Sequence, residues 1–134
     1  MASGIQLPLS WNPDHSLIAT VQEEKRKTLV SFYERNGLRH GEFVLPPSMT
    51  DIQLSYNSTG TLIAVTGVLE GTPVVQLWTR MNYHWYLKLQ REYHLPIQSV
   101  YWDPLNEMVL NVVFMVMVFL RNHLCRMVLS ILFC

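Results

Sequence analysis

The chain has 134 residues, of which 49% are hydrophobic and 15% are charged; this balance excludes intrinsic disorder and suits a domain with a sizeable core. Ten basic side chains offset ten acidic ones, so no overall field draws the chain to nucleic acid or to an anionic membrane. The only two cysteines and the lack of a secretion signal at the amino terminus predict a reducing, intracellular compartment.

The first predicted unit is an antiparallel sheet of four strands. Apolar residues alternate with polar or small ones over residues 5–11, which predicts a half-buried strand. Leu17–Gln22 is the predicted return strand, and Thr28–Glu34 is a β-branched and aromatic run. Asn36-Gly37 predicts a type I′ turn, because both residue types tolerate positive φ. Gly41–Leu45 then pairs back.

A second predicted sheet repeats this plan. Its strands are expected at Ile52–Tyr56, Leu62–Val68, Val74–Thr79 and Trp85–Tyr93. The last of these alternates apolar with polar residues, which predicts one face in the core and one in water. The side chains expected to face the core are Trp85, Leu87 and Leu89.

Two long segments of the chain are near copies of each other. Leu9–Val21 and Leu54–Thr66 both begin with Leu, Ser, an aromatic residue and Asn. A third copy begins at Val100–Pro104, where Trp102 takes the aromatic position. A repeat of about 45 residues that contains several strands is typical of the blades of a β-propeller.

The repeat predicts the fold class. We expect an all-β, WD40-like β-propeller fragment with two four-stranded antiparallel blades, at about residues 5–47 and 50–95, and the start of a third blade at about residue 97. This partial propeller covers residues 1–104, and an atypical apolar tail follows at residues 105–134.

The tail differs in composition from the rest of the chain. From Met108 onward it has no Gly, Pro, Lys, Asp or Glu. The first interpretation of the tail is a membrane helix. Such a helix needs about 20 apolar residues in a row, and Arg121 interrupts the run, which argues against a spanning helix. A second interpretation is a pair of buried strands, 108–120 and 124–133, that turn at Arg121-Asn-His123.

A third interpretation is that the tail comes from a truncated or alternative reading frame, because an exposed, uncharged, β-prone run is an aggregation hazard. We expect the segment either to pack as an apolar helix or strand pair across the open face of the second blade, or to remain a poorly ordered extension. Deleting residues 108–134 is then expected to raise solubility.

The sequence offers no anchor for catalysis. It contains no glycine-rich phosphate loop, GxSxG elbow, HExxH helix or CxxC pair. Asp14 beside His15, and Asp51 with His40, lack an identifiable nucleophile. We therefore predict no catalytic residue and no cofactor.

Metal-ligating residue types are present but scattered. His123 and Cys125 place two ligands near each other, whereas a zinc site needs four donors. His84, His94 and Cys134 show no spacing that would complete the set, so no metal site is predicted.

An aromatic and basic cluster surrounds the last predicted turn of the second sheet. It consists of Trp78, Arg80, Tyr83, His84, Trp85, Tyr86 and Lys88. One interpretation is blade core with a rim of long polar side chains, and the other is a platform for single-stranded nucleic acid. The candidate interaction surface consists of Arg80, Tyr83, His84, Tyr86 and Lys88.

Two segments resemble a known family. Phe32–Phe43 and Val75–Lys88 are similar to the N-terminal WD40-type propeller of the elongator complex protein 1 family, the largest, scaffold subunit of the Elongator complex. The segment Asn82–Tyr86 is far more specific than a generic Trp-Asp repeat. The resemblance covers about residues 5–104, and residues 105–134 depart from it.

The resemblance implies a non-catalytic scaffold in a complex that modifies the wobble uridine of transfer RNAs. It implies direct contacts with other Elongator subunits, including the catalytic subunit. It implies only indirect contact with tRNA and no contact with a membrane. The family's dimerisation region has no counterpart in this chain. The implied location is the cytoplasm, with the nucleus as a second compartment. The alternative function is a free-standing WD40-like nucleic-acid-binding module that uses the aromatic and basic patch.

Overall fold

The computed structural model describes residues 8–118 and 123–132, and every regular element in them is a β-strand. This confirms the all-β prediction. The strands are β1 (Leu9–Trp11), β2 (Leu17–Glu24), β3 (Lys27–Glu34), β4 (Arg39–Val44), β5 (Met49–Tyr56), β6 (Leu62–Leu69), β7 (Thr72–Met81), β8 (His84–Glu92), β9 (Ile97–Trp102), β10 (Val109–Val118) and β11 (His123–Leu132).

The strands form three antiparallel sheets. β1 to β4 and β5 to β8 are four-stranded sheets in chain order, and β9 to β11 form a three-stranded sheet in which β10 is central. The two predicted four-stranded blades and the start of a third are therefore present. Of the predicted first strand, 5–11, residues 5–7 lie outside the described residues.

Three of the hairpins close with two-residue turns. Both turn residues have positive φ at Lys25-Arg26, Glu70-Gly71 and Asn82-Tyr83. This is the type I′ geometry, whose twist matches that of the flanking strands. Only one of these turns contains glycine, so five non-glycine residues adopt a conformation that L-residues rarely adopt.

The type I′ turn predicted at Asn36-Gly37 is wrong. Among these two residues only Gly37 has positive φ, at 88°. The Gly37 N–H donates to the Glu34 carbonyl, and the Glu34 N–H donates to the Leu38 carbonyl, both at 2.9 Å. The loop therefore has three residues, with glycine in the left-handed position that closes a G1 bulge.

The predicted alternation in β8 is also wrong at one residue. Trp78 pairs with Leu87 and Leu77 pairs with Leu89, so Lys88 is an extra residue in β8. Because the bulge reverses the alternation, Leu87 and Leu89 lie on opposite faces. Leu87 is 45% exposed, whereas Leu89 packs against the second core.

The first core lies between the first and second sheets. Phe32 and Phe43 from the first sheet meet Ile63 and Val65 from the second, and all four are buried. Aromatic stacking adds to this packing: the ring centroids of Phe43 and Trp78 are 4.0 Å apart.

The second core lies between the second sheet and β9 to β11. Leu110, Val112 and Phe114 of β10 are 0%, 0% and 3% exposed and pack against the second sheet. The second sheet is therefore covered on both faces. This explains the continuous apolar run in β6, where every residue from Leu62 to Gly67 is buried.

In the described residues the tail forms the strand pair of the second interpretation, while the reading-frame interpretation concerns its origin and stays a prediction. β10 and β11 pair in register from Val109 with Leu132 to Val118 with His123. Leu110, Val112 and Phe114 of the tail also pack across the open face of the second sheet, as expected for this segment. Of the predicted turn, Arg121 and Asn122 lie outside the described residues. No helix in the described part of the chain is long and apolar enough to span a membrane.

The three repeats share a turn that the hydrogen bonds define. The side-chain oxygens of Asn12, Asn57 and Asp103 accept backbone N–H groups within their own turns. The backbone N–H groups of the same three residues donate to Leu17, Leu62 and Val109. A side chain with this role must be Asn, Asp, Ser or Thr, which accounts for the repeated Asn and Asp.

Candidate interaction surface

The β7–β8 hairpin projects its turn into solvent. Tyr83 is 87% exposed and has a φ of 66°. The guanidinium carbon of Arg80 lies 5.5 Å from the centroid of the Tyr83 ring, in cation–π geometry. Met81, the last residue of β7, is also exposed, at 59%.

The two tryptophans of the predicted aromatic cluster point inward. Trp85 stacks on Phe32 with ring centroids 4.5 Å apart and an interplanar angle of 4°. Trp78 stacks on Phe43, and its indole N–H donates to Gln76 Oε1 at 3.0 Å. These two rings belong to the core between the sheets, so they are not available as a stacking platform for nucleic acid.

The structure brings together only part of the predicted surface. Arg80 and Tyr83 contact each other. His84 and Tyr86 pair with Met81 and Thr79, which places them on the face of the sheet opposite to Trp85. Lys88 is the exposed bulge residue further along β8. The five residues therefore surround one hairpin and do not form one flat patch.

Arg80 also connects the two four-stranded sheets. Its Nη2 lies 3.4 Å from His40 Nε2, and His40 Nδ1 lies 3.3 Å from Glu34 Oε1. An open cleft of about 560 Å³ runs beside this link. It is lined mostly by residues of the first sheet and its turns, among them Asn12, Ser16 and Arg35, and by Arg80 of the second sheet.

Three residues near this hairpin were not predicted from the sequence to belong to the surface: His40, Met81 and Leu87. His40 is remote from Arg80 in the chain, and only the stacking of the two sheets brings them together. Met81 fits the pattern of a core residue, and Leu87 is 45% exposed although it lies on the same face of β8 as Trp85. Lys88 itself has no glycine or proline beside it that would have indicated a bulge.

The rejected acid–base pairs have structural roles or lie apart. Asp14 accepts the Ser16 N–H at 2.8 Å, and the hydrogen bonds from Ser16 lower the pKa of its carboxyl group. His40 contacts Glu34 and Arg80, whereas Asp51 lies at an irregularity in β5 with a φ of 53°.

No group of three His, Cys, Asp or Glu side chains in the described residues could hold a metal ion. Of the scattered metal-ligating types, Cys134 and the side chains of His123 and Cys125 lie outside the described part.

Tyr56, the last residue of β5, lies between the first and second sheets. Burial raises the pKa of its hydroxyl well above the usual value, and the positive charge of Arg80 partly opposes this shift. Its ring is 6.4 Å from that of Phe32, edge to face. The phenol is therefore part of the packed junction rather than a reactive group.

Comparisons with known proteins agree with this architecture. The family model described as ELP1 first N-terminal beta-propeller matches residues 1–105. The chain is 40% identical over 124 residues to a putative elongator complex protein 1 of Xenopus laevis, with 81% of the chain aligned. It is 44% identical over 109 residues to elongator complex protein 1 of Saccharomyces cerevisiae, with 76% aligned.

These relatives are much longer than the chain. The matched region spans 10% of the Xenopus protein and 8% of the yeast protein. The family match ends at residue 105, immediately before the β10–β11 pair. The chain, with its stacked four-stranded sheets and repeated Asn and Asp turns, belongs to the family of the first N-terminal β-propeller of elongator complex protein 1.

Proposed function

We propose that the chain is a non-catalytic scaffold piece of the Elongator complex and acts through protein–protein contacts. The observation that carries the proposal is the family match over residues 1–105, because the matched relatives are named as elongator complex protein 1. The process served would be the modification of wobble uridine in tRNA. The partners would be other Elongator subunits, including the catalytic one, in the cytoplasm and the nucleus.

The β7–β8 hairpin is the best supported contact surface. Tyr83 and Met81 are exposed apolar side chains on a short, hydrogen-bonded hairpin, and Arg80 lies over the Tyr83 ring. Tyr and Arg are among the residues that dominate binding energy at interfaces. The turn has only two residues and is closed by the pairing of Met81 with His84, so little conformational entropy would be lost on binding.

Capture of the purified remaining Elongator subunits by the immobilised chain tests this proposal. Tyr83→Ala should weaken capture about tenfold or more, as expected for an interface anchor. Tyr101→Ala is the matched control, because Tyr101 is 48% exposed but lies in β9, outside this hairpin. Absence of capture by the unmodified chain would refute the scaffold proposal, and equal loss in both variants would refute the surface.

A nucleic-acid-binding module is the alternative, and the structure weakens its basis. Two of the four aromatic rings that suggested it are stacked in the core. The scaffold proposal predicts little binding of single-stranded RNA at physiological salt. Tight binding that falls steeply with rising salt would instead favour phosphate contacts and the alternative.

A further inference from the structure

The cleft beside Arg80 receives one arginine from each of two neighbouring sheets. Arg35 directly follows β3 of the first sheet, and Arg80 lies near the end of β7 in the second. Among the described residues that line the cleft, Glu34 is the only one with a carboxylate. Two guanidinium groups on the walls of a concave site raise the local positive potential. The cleft therefore favours an anionic group.

The carboxylates at this cleft already have partners within the chain. Arg80 Nη2, which can only donate, lies 3.4 Å from His40 Nε2, so this nitrogen is the acceptor. The proton of the neutral ring is then on Nδ1, which lies 3.3 Å from Glu34 Oε1. Asp14, in the same turn as the lining residue Ser16, accepts the Ser16 N–H at 2.8 Å. Neither carboxylate therefore occupies the two arginines.

Both arginines keep N–H donors that the chain does not use. Arg35 is exposed, and its guanidinium has no ion pair or hydrogen bond within the part of the chain that the structure describes. Arg39, on the neighbouring strand β4, instead bridges Glu24 and Glu42. Among the described residues, the Arg80 guanidinium contacts His40 and the Tyr83 ring, which leaves several of its N–H groups unused.

A side-chain amide adds a neutral donor beside Arg35. Asn36 Oδ1 accepts the Leu38 N–H at 2.9 Å, so the amide NH2 group is left for other partners. Asn36 lines the cleft together with one apolar residue, Leu17. The volume of about 560 Å³ is sufficient for a side chain of a bound peptide. The cleft thus combines two charged donors and a neutral one.

The surroundings of the cleft favour a peptide over a nucleic acid. Exposed Tyr83 and Met81 lie at the β7–β8 turn that adjoins Arg80, and they offer apolar surface to a second side chain. The indole rings of Trp78 and Trp85 are stacked in the core and cannot hold successive bases. The charge of Glu34 would also repel the neighbouring phosphates of a strand.

We propose that this cleft binds the side chain of an aspartate or glutamate from a partner polypeptide, while an apolar residue beside it packs on Tyr83. The carboxylate lies between Arg35 and Arg80 and also accepts from the Asn36 amide. Charge-assisted hydrogen bonds from guanidinium groups are stronger than those between neutral groups. This inference rests on the proposed scaffold function, because it names the chemistry by which the hairpin surface recognises its partner.

Fluorescence anisotropy with the 134-residue chain tests the inference. The probe is a short labelled peptide in which glutamate alternates with leucine, and the comparison peptide has glutamine in place of glutamate. We expect the glutamate peptide to bind about tenfold or more tightly than the glutamine peptide. Absence of saturable binding, equal affinities, or tighter binding of an oligouridine of similar length would overturn the proposal.

A pair of arginine variants locates the binding site. Arg35→Ala should weaken binding of the glutamate peptide about tenfold. Arg91→Ala is the matched control, because Arg91 is an exposed residue of β8 that does not line the cleft, and it should leave the affinity unchanged. Urea denaturation should give the same midpoint for Arg35→Ala and the unmodified chain. Equal affinities of the two variants would overturn the assigned site.

Nuclear magnetic resonance provides a readout that does not depend on a variant. Titration with the glutamate peptide should shift the amide resonances of Arg35, Asn36 and Arg80 and leave that of Tyr101 in place. Shifts confined to residues outside the cleft would overturn the proposal. Its failure is distinct from failure of the scaffold function, because capture of Elongator subunits by the unmodified chain is measured separately. Capture that is unaffected by Arg35→Ala would support the scaffold and refute this site.

Discussion

Trp102 shows how a single residue joins two sheets. Its ring is buried and its indole N–H satisfies the Ser55 carbonyl. Trp102→Ala should lower the free energy of unfolding by about 3–5 kcal/mol, the usual cost of removing a buried tryptophan. Urea denaturation measures this change.

Trp78→Ala should cost a similar amount, because the ring stacks on Phe43 in the first core. Leu105→Ala is the control, since Leu105 is 97% exposed. Losses below about 1 kcal/mol for both tryptophans would mean that the assigned packing of the sheets is incorrect.

Gly67 is required by close packing in the middle of β6. A β-carbon at this position would lie 2.7 Å from Met49 Cε and 2.8 Å from the Thr50 carbonyl oxygen. The methionine can move, but the backbone oxygen of the paired strand cannot move without disturbing β5. We expect Gly67→Ala to destabilise the chain by about 1–3 kcal/mol, measured by thermal unfolding. A stability equal to that of the unmodified chain would show that β5 yields easily.

Tyr56 makes the stability depend on alkaline pH. Burial raises the pKa of its hydroxyl in the folded chain, whereas in the unfolded chain it ionises near pH 10. Above that pH the unfolded state releases this proton and the folded state keeps it, so stability falls as the pH rises. Tyr56→Phe should reduce the slope of unfolding free energy against pH above about 10. Equal slopes would contradict the assigned burial of the phenol.

At the scale of whole elements, the β10–β11 pair changes one prediction made from sequence. The tail was expected to leave apolar residues exposed, so its removal was expected to raise solubility. In the structure, Leu110, Val112 and Phe114 cover the second sheet. Removing residues 108–134 would expose the other half of that core, formed by Leu62, Ala64, Val75 and Leu77.

We therefore expect the shortened chain to be less soluble and to bind more of a hydrophobic dye than the full chain. Val112→Asp provides an independent test, since it places a charge in the same core without shortening the chain. A shortened chain that melts at the same temperature and stays in solution would show that β10 contributes nothing to the fold.

Much of the strand arrangement could be predicted because the repeat and the period-two pattern are local signals. The turns at Asn12 and Asn57 and the alternation in β3 and β7 depend on neighbours in sequence. The bulge at Lys88 could not be predicted, because an extra residue in β8 is defined only by its pairing with β7. The contact between Arg80 and His40 could not be predicted either, since it depends on how two sheets stack.

The candidate surface was predicted only in part for the same reason. An aromatic residue in a strand can face either side, and its exposure depends on which sheets lie against it. Tyr83 lies in a turn, where no sheet covers it, and it is 87% exposed, against 50% for Tyr86 in β8. Trp85 lies two residues further on and is stacked on Phe32.

At the scale of the whole molecule, the three sheets form a stack with two unlike ends. One end presents Trp11 beside the Arg39 ion pairs, and the other presents Tyr101. The cores between the sheets are apolar and aromatic, and hydrogen bonds such as that from the Trp102 indole to the Ser55 carbonyl lie at their margins. The second sheet, which contributes to both cores, therefore holds the described strands together.

The two-sided burial of β6 has a consequence for how the molecule opens. β6 is paired on both edges and covered on both faces, whereas β1 and β8 are edge strands of their sheets. Its amide hydrogens can reach solvent only when both cores separate, so their exchange with deuterium should report global unfolding. Exchange in β1 and β8 should report local fraying and be much faster. A partner that binds the β7–β8 hairpin would then slow exchange in β8, while exchange in β6 would change only as far as the partner stabilises the whole fold.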